Sequence, residues 1–436
     1  MRRYESYKDS GVEWLGEVPH CWDVKKVKNI FHLIVEPAAK NNQCELLSVY
    51  TDIGVKPRAE LEERGNKAST TDGYWIVKKG DIVVNKLLAW MGAIGLSEYD
   101  GVTSPAYDIL RPHQQINGKF FHYLFRTPLC LSEFKKNSRG IMDMRLRLYF
   151  EELGNIYIPF PSYQEQQKIA QFLDDKTAKI DQAVDLAEKQ IALLKDHKQI
   201  LIQNAVTRGL NPDVPLKDSG VEWIGQVPEH WEVKRFRNLF DFGKGLSITK
   251  ENLQDEGIPC VNYGEIHSKY GFEVIPERDA LKCVDSKYLV FNNSMLNKGD
   301  FVFADTSEDI EGSGNFTYLN SSTRIFAGYH TVITRLKITA IHRYIAYYFD
   351  SLSFRNQIRN KVKGVKVFSI TQSILKGTFV LLPNLKEQQK IADYLDKQTA
   401  KIDQAIALKT AHIEKLKEYK SVLINDVVTG KVRVSV

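Results

Sequence analysis

The sequence predicts a mixed α/β (α+β) protein in which two globular domains alternate with two long helices. Three features carry that prediction. Two blocks of sequence recur in the same order within one chain. The second block of each pair opens a run suited to a long helix, and the intervals between blocks are dense in short apolar runs broken by glycine turns. The divisions that follow are a globular domain over 1–160, a helix over 161–208, a globular domain over 209–384 and a helix over 385–436.

The first block is residues 8–22, KDSGVEWLGEVPHCW, which returns at 217–231 as KDSGVEWIGQVPEHW. The second is residues 165–183, EQQKIAQFLDDKTAKIDQA, which returns at 387–405 as EQQKIADYLDKQTAKIDQA. Two matches this close in one order mean that a single unit was duplicated. The intervals enclosed by the blocks are unlike each other. Like ends around unlike middles suit two holders of one design that present two different surfaces.

The helices come next. From Gln164 to Val206 there is no glycine or proline, and the run is rich in Gln, Lys, Asp, Ala and Leu. Ser162, with Glu165 three places on, resembles a capping box, and Gly209 and Pro212 end the run. Apolar residues alternate at spacings of four and three. The first copy has Ile180, Val184, Ala187, Ile191, Leu194, Leu201 and Ala205; the second has Ile402, Ile406, Ile413, Leu416, Leu423 and Val427. That is a heptad seam. Lys198 and Lys420 interrupt it at equivalent places. Matched registers predict that the two helices pack on each other, with the polar breaks fixing the register, rather than each covering a globular core alone.

The intervals carry the candidate binding residues. YWIVKKGDIVVNKLL (74–88) and YLVFNNSMLNKGDFVFA (288–304) each place a Lys-Gly-Asp turn between two apolar runs, which predicts a hairpin around Gly80 and Gly299. Lys78, Lys79, Lys86 and Lys298 flank these turns and are candidates for phosphate contact. Two basic clusters precede the long helices. One holds Lys135, Lys136, Arg139, Arg145 and Arg147; the other holds Arg355, Arg359, Lys361, Lys363 and Lys366. A single basic run is usually a solvated face. Two at equivalent places in a duplicated chain point to neutralisation of a nucleic-acid backbone, with binding that weakens as salt rises. Reading bases needs amides, hydroxyls, guanidinium forks or apolar groups in a groove. The candidates are Asn85, Trp90 and Ser104 in the first interval, and Asn262, Tyr263, Thr306, Arg324 and His330 in the second.

Composition and absent motifs narrow the function. The chain has 436 residues and a formal net charge of +6, too weak an excess to matter unless it is local. Cys21, Cys44, Cys130, Cys260 and Cys283 are scattered and form no C-x-x-C pair, which disfavours a zinc site or disulfide framework and fits a reducing compartment. With no signal core near the start, the expected location is the cytoplasm. There is no G-x-x-x-x-G-K-[ST] loop, no Asn/Asp-Pro-Pro-aromatic motif for amino-methyl transfer and no H-E-x-x-H cluster. No catalytic, cofactor-binding or metal-binding residues are therefore assigned. His20 and His230, beside the tryptophans of the repeated block, read as packing or turn residues.

The doubled K-D-S-G-V-E-W-[LI]-G-x-V-P-x-x-W block and the proline-led helix starts, IPFPSYQEQQKIAQFLD and LLPNLKEQQKIADYLD, resemble the specificity subunits of type I restriction–modification systems. That resemblance spans essentially the whole chain. It implies that the two intervals are target-recognition domains and that the long helices pair antiparallel as spacers. Each domain would read one half of an asymmetric bipartite DNA site. The helices would set the gap and dock two methyltransferase subunits, and two motor-nuclease subunits could join. A helix of this length spans about 64 Å at roughly 1.5 Å per residue, longer than one turn of duplex DNA. S-adenosylmethionine, ATP and Mg2+ would sit on partner subunits, and this chain would not be an enzyme. Other readings are a DNA-binding regulator that dimerises through its helices and a self-contained modification enzyme that itself binds S-adenosylmethionine.

Overall fold

The structure is a computed structural model that describes residues 2–60, 71–142, 145–364 and 366–434. Two continuous helices run through it, Tyr163–Arg208 and Leu385–Val428. Each begins after the proline that the sequence places there. The Ser162 hydroxyl accepts from the Glu165 N–H at 3.4 Å, and the Asn384 side chain accepts from the Glu387 N–H at 3.0 Å. Only half of the expected capping box forms, because the Glu165 carboxylate turns elsewhere. Both helices end at a glycine in the left-handed region, Gly209 at φ 76° and Gly430 at φ 80°.

The chain folds into two compact units. One comprises Met1–Glu188 with Thr410–Val436, the other Lys189–Lys409. Each unit therefore contains the start of one long helix and the end of the other.

In the first unit a four-stranded antiparallel sheet runs Phe31–Ile34, Tyr107–Pro112, Ile82–Asn85, Ile94–Leu96 in spatial order. Helices Gly118–Phe125 and Pro128–Asn137 pack on it, capped by Asn117 and Thr127. The core joins Trp22, Phe31, Phe120, Phe121, Phe125 and Phe134 to Ile169, Leu173 and Ile180 of the first long helix. Leu423, Val427 and Val428 of the second long helix close the same core. Burying an indole such as Trp22 removes about 200 Å² from water, on the order of 5 kcal/mol before entropy is charged against it.

The second unit follows the same plan with a larger sheet. Its strands run Phe240–Lys244, Thr331–Leu336, Phe301–Ala304, Phe316–Leu319, Phe272–Val274 in spatial order, and only the last pair is parallel. A second four-stranded sheet, Lys282–Val284, Ile258–Val261, Ile325–Ala327 and Met295–Leu296, lies in the same unit. Helices His342–Asp350 and Leu352–Arg359 complete it. Here the core joins Trp231, Phe301, Phe349 and Phe354 to Ile202, Ala205 and Val206, the end of the first long helix. Ile391, Ala392 and Leu395, from the start of the second, complete it.

The expected hairpins are not present. Trp75–Val77 pairs with Gly101–Thr103, whereas Ile82–Asn85 pairs with Tyr107–Pro112 and Ile94–Leu96. In the second unit Met295–Leu296 and Phe301–Ala304 likewise join different sheets. The Lys-Gly-Asp turn is real, with Gly80 at φ 101° and Gly299 at φ 91°, but it carries the chain between sheets. Its aspartate explains why. Asp81 is buried, accepts from the Lys78 N–H at 2.8 Å, and takes a two-pronged bond from Arg111 at 2.8 and 2.7 Å. Asp300 takes the Asn297 N–H at 2.9 Å and Arg335 Nε at 3.1 Å. Both arginines lie on the strand beside the one that leaves the turn. The long-range ion pair therefore fixes the turn, and local alternation in sequence gives no sign of it.

Candidate nucleic-acid interface

The repeated blocks exist to hold each other. Trp22 Nε1 donates to Glu165 Oε2 at 3.0 Å, and Trp231 Nε1 donates to Glu387 Oε1 at 3.1 Å. An indole N–H buried this deeply needs an acceptor, and the first residue of each E-Q-Q run supplies it. Tyr4 also donates to Glu165, at 2.6 Å; burial, then that carboxylate, pushes its phenol well above the usual range. The next residue ties the globular part down. Gln166 accepts from the Asn117 N–H and donates to the Pro161 carbonyl, both at 2.9 Å. Gln388 does the same with the Ile341 N–H at 2.9 Å and Pro383 at 2.8 Å. About two turns further along each helix, Tyr123 donates to Asp174 at 2.8 Å and Tyr347 to Asp396 at 2.6 Å. The W-containing block is thus a strap between each globular part and a helix start. His230 joins it through Glu387 at 2.9 Å, while His20 is exposed.

Of the seam residues, Ile180, Ala187, Ala205, Ile402, Ile413, Leu423 and Val427 are buried. Val184, Ile191, Leu194, Leu201, Ile406 and Leu416 are half-buried. The lysine breaks are satisfied across the seam. Lys420 Nζ bonds both oxygens of Asp181 at 2.7 Å in the first unit, and Lys198 Nζ bonds both oxygens of Asp403 at 2.7 Å in the second.

In the second unit, several candidates from distant parts of the sequence converge. Tyr263, Thr306 and His330 line one cleft of about 750 Å³ with His267, Asn315 and Val367, and Glu308, Asp309 and Glu311 give its rim acidic groups. His330 sits in the left-handed region at φ 54°, with Nδ1 3.1 Å from Asp305 and its ring edge-on to Tyr263 at 5.3 Å. The strand Thr306–Ser307 pairs with Phe368–Ser369, which brings the basic segment to the same place. Its members divide. Arg355 is committed to Asn315 at 2.5 Å and Asp350 at 2.9 Å. Arg359 donates to the Glu311 carbonyl, and burial lowers its affinity for a proton. Lys361 donates to the Gly377 carbonyl at 3.1 Å. Lys363 and Lys366 are exposed and suit phosphate contact. Asn262 is a correction: it is buried as the cap of helix Tyr263–Ser268, its capping box closed by Glu265, so it is not available to a base. Arg324 and Lys298 are exposed but do not line the cleft.

The first unit gathers its candidates differently. The basic segment crosses the strand end at Lys86, whose carbonyl accepts from the Leu148 N–H at 2.9 Å. Lys135 lies over the Trp90 ring at 4.9 Å. Two expected readers, Asn85 and Ser104, and one expected phosphate contact, Lys86, are spent on structure. Asn85 is buried and accepts from the Leu87 N–H at 3.0 Å; Lys86 donates to the Pro105 carbonyl at 3.0 Å and faces Asp108 at 3.3 Å; Ser104 accepts from the Ala106 N–H at 3.3 Å within a turn. Trp90 is half-buried with its N–H on the Leu87 carbonyl. Lys78, Lys79, Lys136, Arg139, Arg145 and Arg147 are exposed. Lys136 is near Glu133 at 3.8 Å, and Arg139 pairs with Glu152. The roles of Gln166, Gln388, His267 and Asn315 were not legible, although the identical E-Q-Q of both copies was the available signal for the first two.

Among the described residues no helix is long and apolar enough to cross a membrane. The family model for the type I restriction modification DNA specificity domain matches residues 19–194 and again 228–418. The MjaVIII type I restriction enzyme specificity subunit of Methanocaldococcus jannaschii is 24% identical over 364 residues, 81% of this chain and 81% of that protein. The EcoKI specificity subunit of Escherichia coli K12 is 25% identical over 413 residues, 89% of this chain and 84% of that one. A solved structure describing complex assembly and conformational transition of the type I R-M system contains a chain of the same fold. Its TM-score is 0.72 at 14% identity, over 95% of this chain and 99% of that one.

Proposed function

From the premise that the chain belongs to the type I restriction modification DNA specificity family, we propose that it is the DNA sequence-specificity subunit of a type I restriction–modification complex. The observation that carries this reading is the double match of the family model, once in each half, around intervals that differ in sequence and in surface. Each globular part reads one half of an asymmetric bipartite site. The cleft around Tyr263, Thr306 and His330 reads bases, and Lys363 and Lys366 beside it neutralise phosphates. In the other half, Lys78, Lys79, Arg145 and Arg147 serve the backbone.

The long helices set the gap between half-sites and dock two methyltransferase subunits. Leu186, Leu193 and Ile200 support the docking role, since they recur every seven residues on the first long helix and are 58%, 67% and 56% exposed. Motor-nuclease subunits complete the restriction complex. S-adenosylmethionine binds the methyltransferase subunits, and ATP with Mg2+ binds the motor subunits. This chain supplies recognition, and its partners supply the chemistry.

The test is a modification-sensitive genome sequence after co-expression with the neighbouring methyltransferase. A methylated motif of two unlike halves around a fixed gap, absent when this chain is omitted, is the expected result. Chain-independent methylation, or none despite a stable complex, refutes the reading. Binding of S-adenosylmethionine by the purified chain alone would favour a self-contained enzyme.

A further inference from the structure

The second unit carries an exposed apolar ridge beside a cleft lined by cations. Leu289, Val290 and Phe291 follow one another and are 47%, 77% and 54% exposed. Leu289 and Val290 end the short helical turn Ser286–Val290, and Phe291 joins it to the next, Asn292–Ser294. The ridge is fixed at both ends. Asp285 caps the first turn by accepting from the Lys287 N–H at 2.8 Å, and Tyr288 packs on a small core that includes Leu246, Val284 and Met295. Beyond the second turn, the Ser294 hydroxyl donates to the Lys244 carbonyl at 2.9 Å, and Arg335 Nη2 donates to the Asn293 and Met295 carbonyls, both at 2.9 Å. Apolar side chains held outward on a braced turn mark an interaction surface.

Charge and position identify what meets the ridge. Tyr288 and Phe291 lead into a cleft of about 630 Å³ whose walls include Phe242, Lys244, Ser247 and Arg335, and none of the described residues that line it is a carboxylate. Asp300 holds Arg335 at 3.1 Å, which leaves the exposed Lys244 to meet an anion. Lys287 and Lys376 lie over the rings of Tyr288 at 5.4 Å and Phe242 at 4.8 Å, contacts that leave their charge in place. Tyr329, the neighbour of His330, packs on the same small core as Tyr288, so the ridge shares a support with the cleft assigned to base reading. A polyanion that presents apolar groups suits this surface. Duplex DNA does so, since its phosphates match Lys244 and each thymine displays a 5-methyl group in the major groove.

We propose that Val290 and Phe291 read a thymine in the half-site of the second unit by packing on its 5-methyl group, with Lys244 on the adjoining phosphates. This assignment rests on the DNA-specificity reading above and gives it one base. The contact needs no hydrogen bond, so it discriminates by the methyl group alone.

The experiment uses the full chain with its methyltransferase partner and a duplex carrying the site obtained from the methylation map. Deoxyuridine replaces the thymines one at a time, which removes the methyl group and keeps the base pair. Wild type should lose about fourfold in affinity at one thymine of one half-site, the worth of a single methyl group taken out of water. A protein carrying Val290→Ala and Phe291→Ala should bind the thymine and uracil duplexes alike at that position. Its melting temperature should stay that of wild type, because both side chains are exposed. Lys244→Gln should keep the uracil penalty and lower the slope of log K against log salt by about one. A site that no uracil substitution weakens, or a double variant that keeps the penalty, refutes the thymine contact alone. Loss of the methyltransferase from the complex of the double variant, with the uracil penalty intact, overturns it in favour of a ridge that docks protein. Absence of any sequence-dependent binding by wild type refutes the recognition reading, and the thymine contact with it.

Discussion

Replacing Gly430 by alanine tests whether the strap is seated under the helix end as described. Gly430 lies at φ 80°, and a Cβ there would come within 2.4 Å of Pro19 Cδ and 3.0 Å of Trp22 Cζ3. Two costs add. An L-residue in the left-handed region costs about 1–2 kcal/mol, and forcing a methyl group into a packed site costs roughly 1–3 kcal/mol more. Gly16 of the same unit isolates the first cost, because it has φ 63° and nothing within 4 Å of the added atom. Gly16→Ala should therefore lose about 1 kcal/mol and Gly430→Ala about 2–4 kcal/mol. The second unit repeats the contrast in weaker form. Gly209, at φ 76°, has Glu387 Oε1 at 3.2 Å and Trp231 at 3.3 Å, whereas Gly220, at φ 70°, has open space. The gap between Gly209→Ala and Gly220→Ala should be smaller, about 1 kcal/mol. Urea unfolding followed by circular dichroism reads these differences as midpoint shifts, provided that the slope stays constant. Equal losses for Gly430→Ala and Gly16→Ala would mean that Pro19 and Trp22 do not pack against the end of the second long helix.

Other substitutions probe separate links. Glu387→Ala leaves the buried Trp231 N–H without its acceptor and should destabilise by about 1–3 kcal/mol; Glu387→Gln, which keeps an acceptor, should recover most of that in the same urea assay. Burial holds the His122 imidazole down to about 4, while the unfolded chain titrates near 6.5. The unfolded state then binds the extra proton between those values, so the associated stability is complete above about pH 6.5 and is lost as pH falls towards 4. Between pH 7 and pH 5, His122→Asn should lose about 2 kcal/mol less than the parent, and parallel loss curves would disprove this. Lys363→Gln and Lys366→Gln should each lower the slope of log K against log salt by about one and weaken binding evenly across DNA sequences. A change in preferred sequence instead would make either lysine a reader of bases.

The sequence carried most of the scaffold because its signals are local or repeated. Heptad spacing, a proline before each helix and a glycine after it act within a few residues, and duplication displays them twice. The Lys-Gly-Asp turn shows where that ends. Its glycine announces a turn, but the destination of the following strand depends on Arg111 and Arg335, which arrive from later strands. The same limit separates Tyr263 from Asn262. Adjacent polar residues before a short helix look alike in sequence, yet one side chain closes the cap and the other faces the cleft. In the first unit, Lys86 seemed free for phosphate because Asp108 lies on a neighbouring strand, too far along the chain to be paired by inspection. Burial lifts the Asp108 carboxyl above its usual range, which Lys86 only partly offsets.

Contacts within each unit also explain why the chain diverged as it did. The strap, the start of the long helix and the helix Gly118–Phe125 are joined in one circuit: Trp22 to Glu165, Gln166 to Asn117, Tyr123 to Asp174. The second copy closes the same circuit through Trp231, Glu387, Gln388, Ile341, Tyr347 and Asp396. A change at one member strands a buried donor or acceptor on another, at about 1–3 kcal/mol each. Lys363 and Lys366 are exposed and take no part in such a circuit. Substitution there alters what is bound without unseating the holder. Two copies of one gene segment could thus drift to different surfaces while their helices and straps stayed nearly identical, which is the pattern the two intervals and the two blocks display.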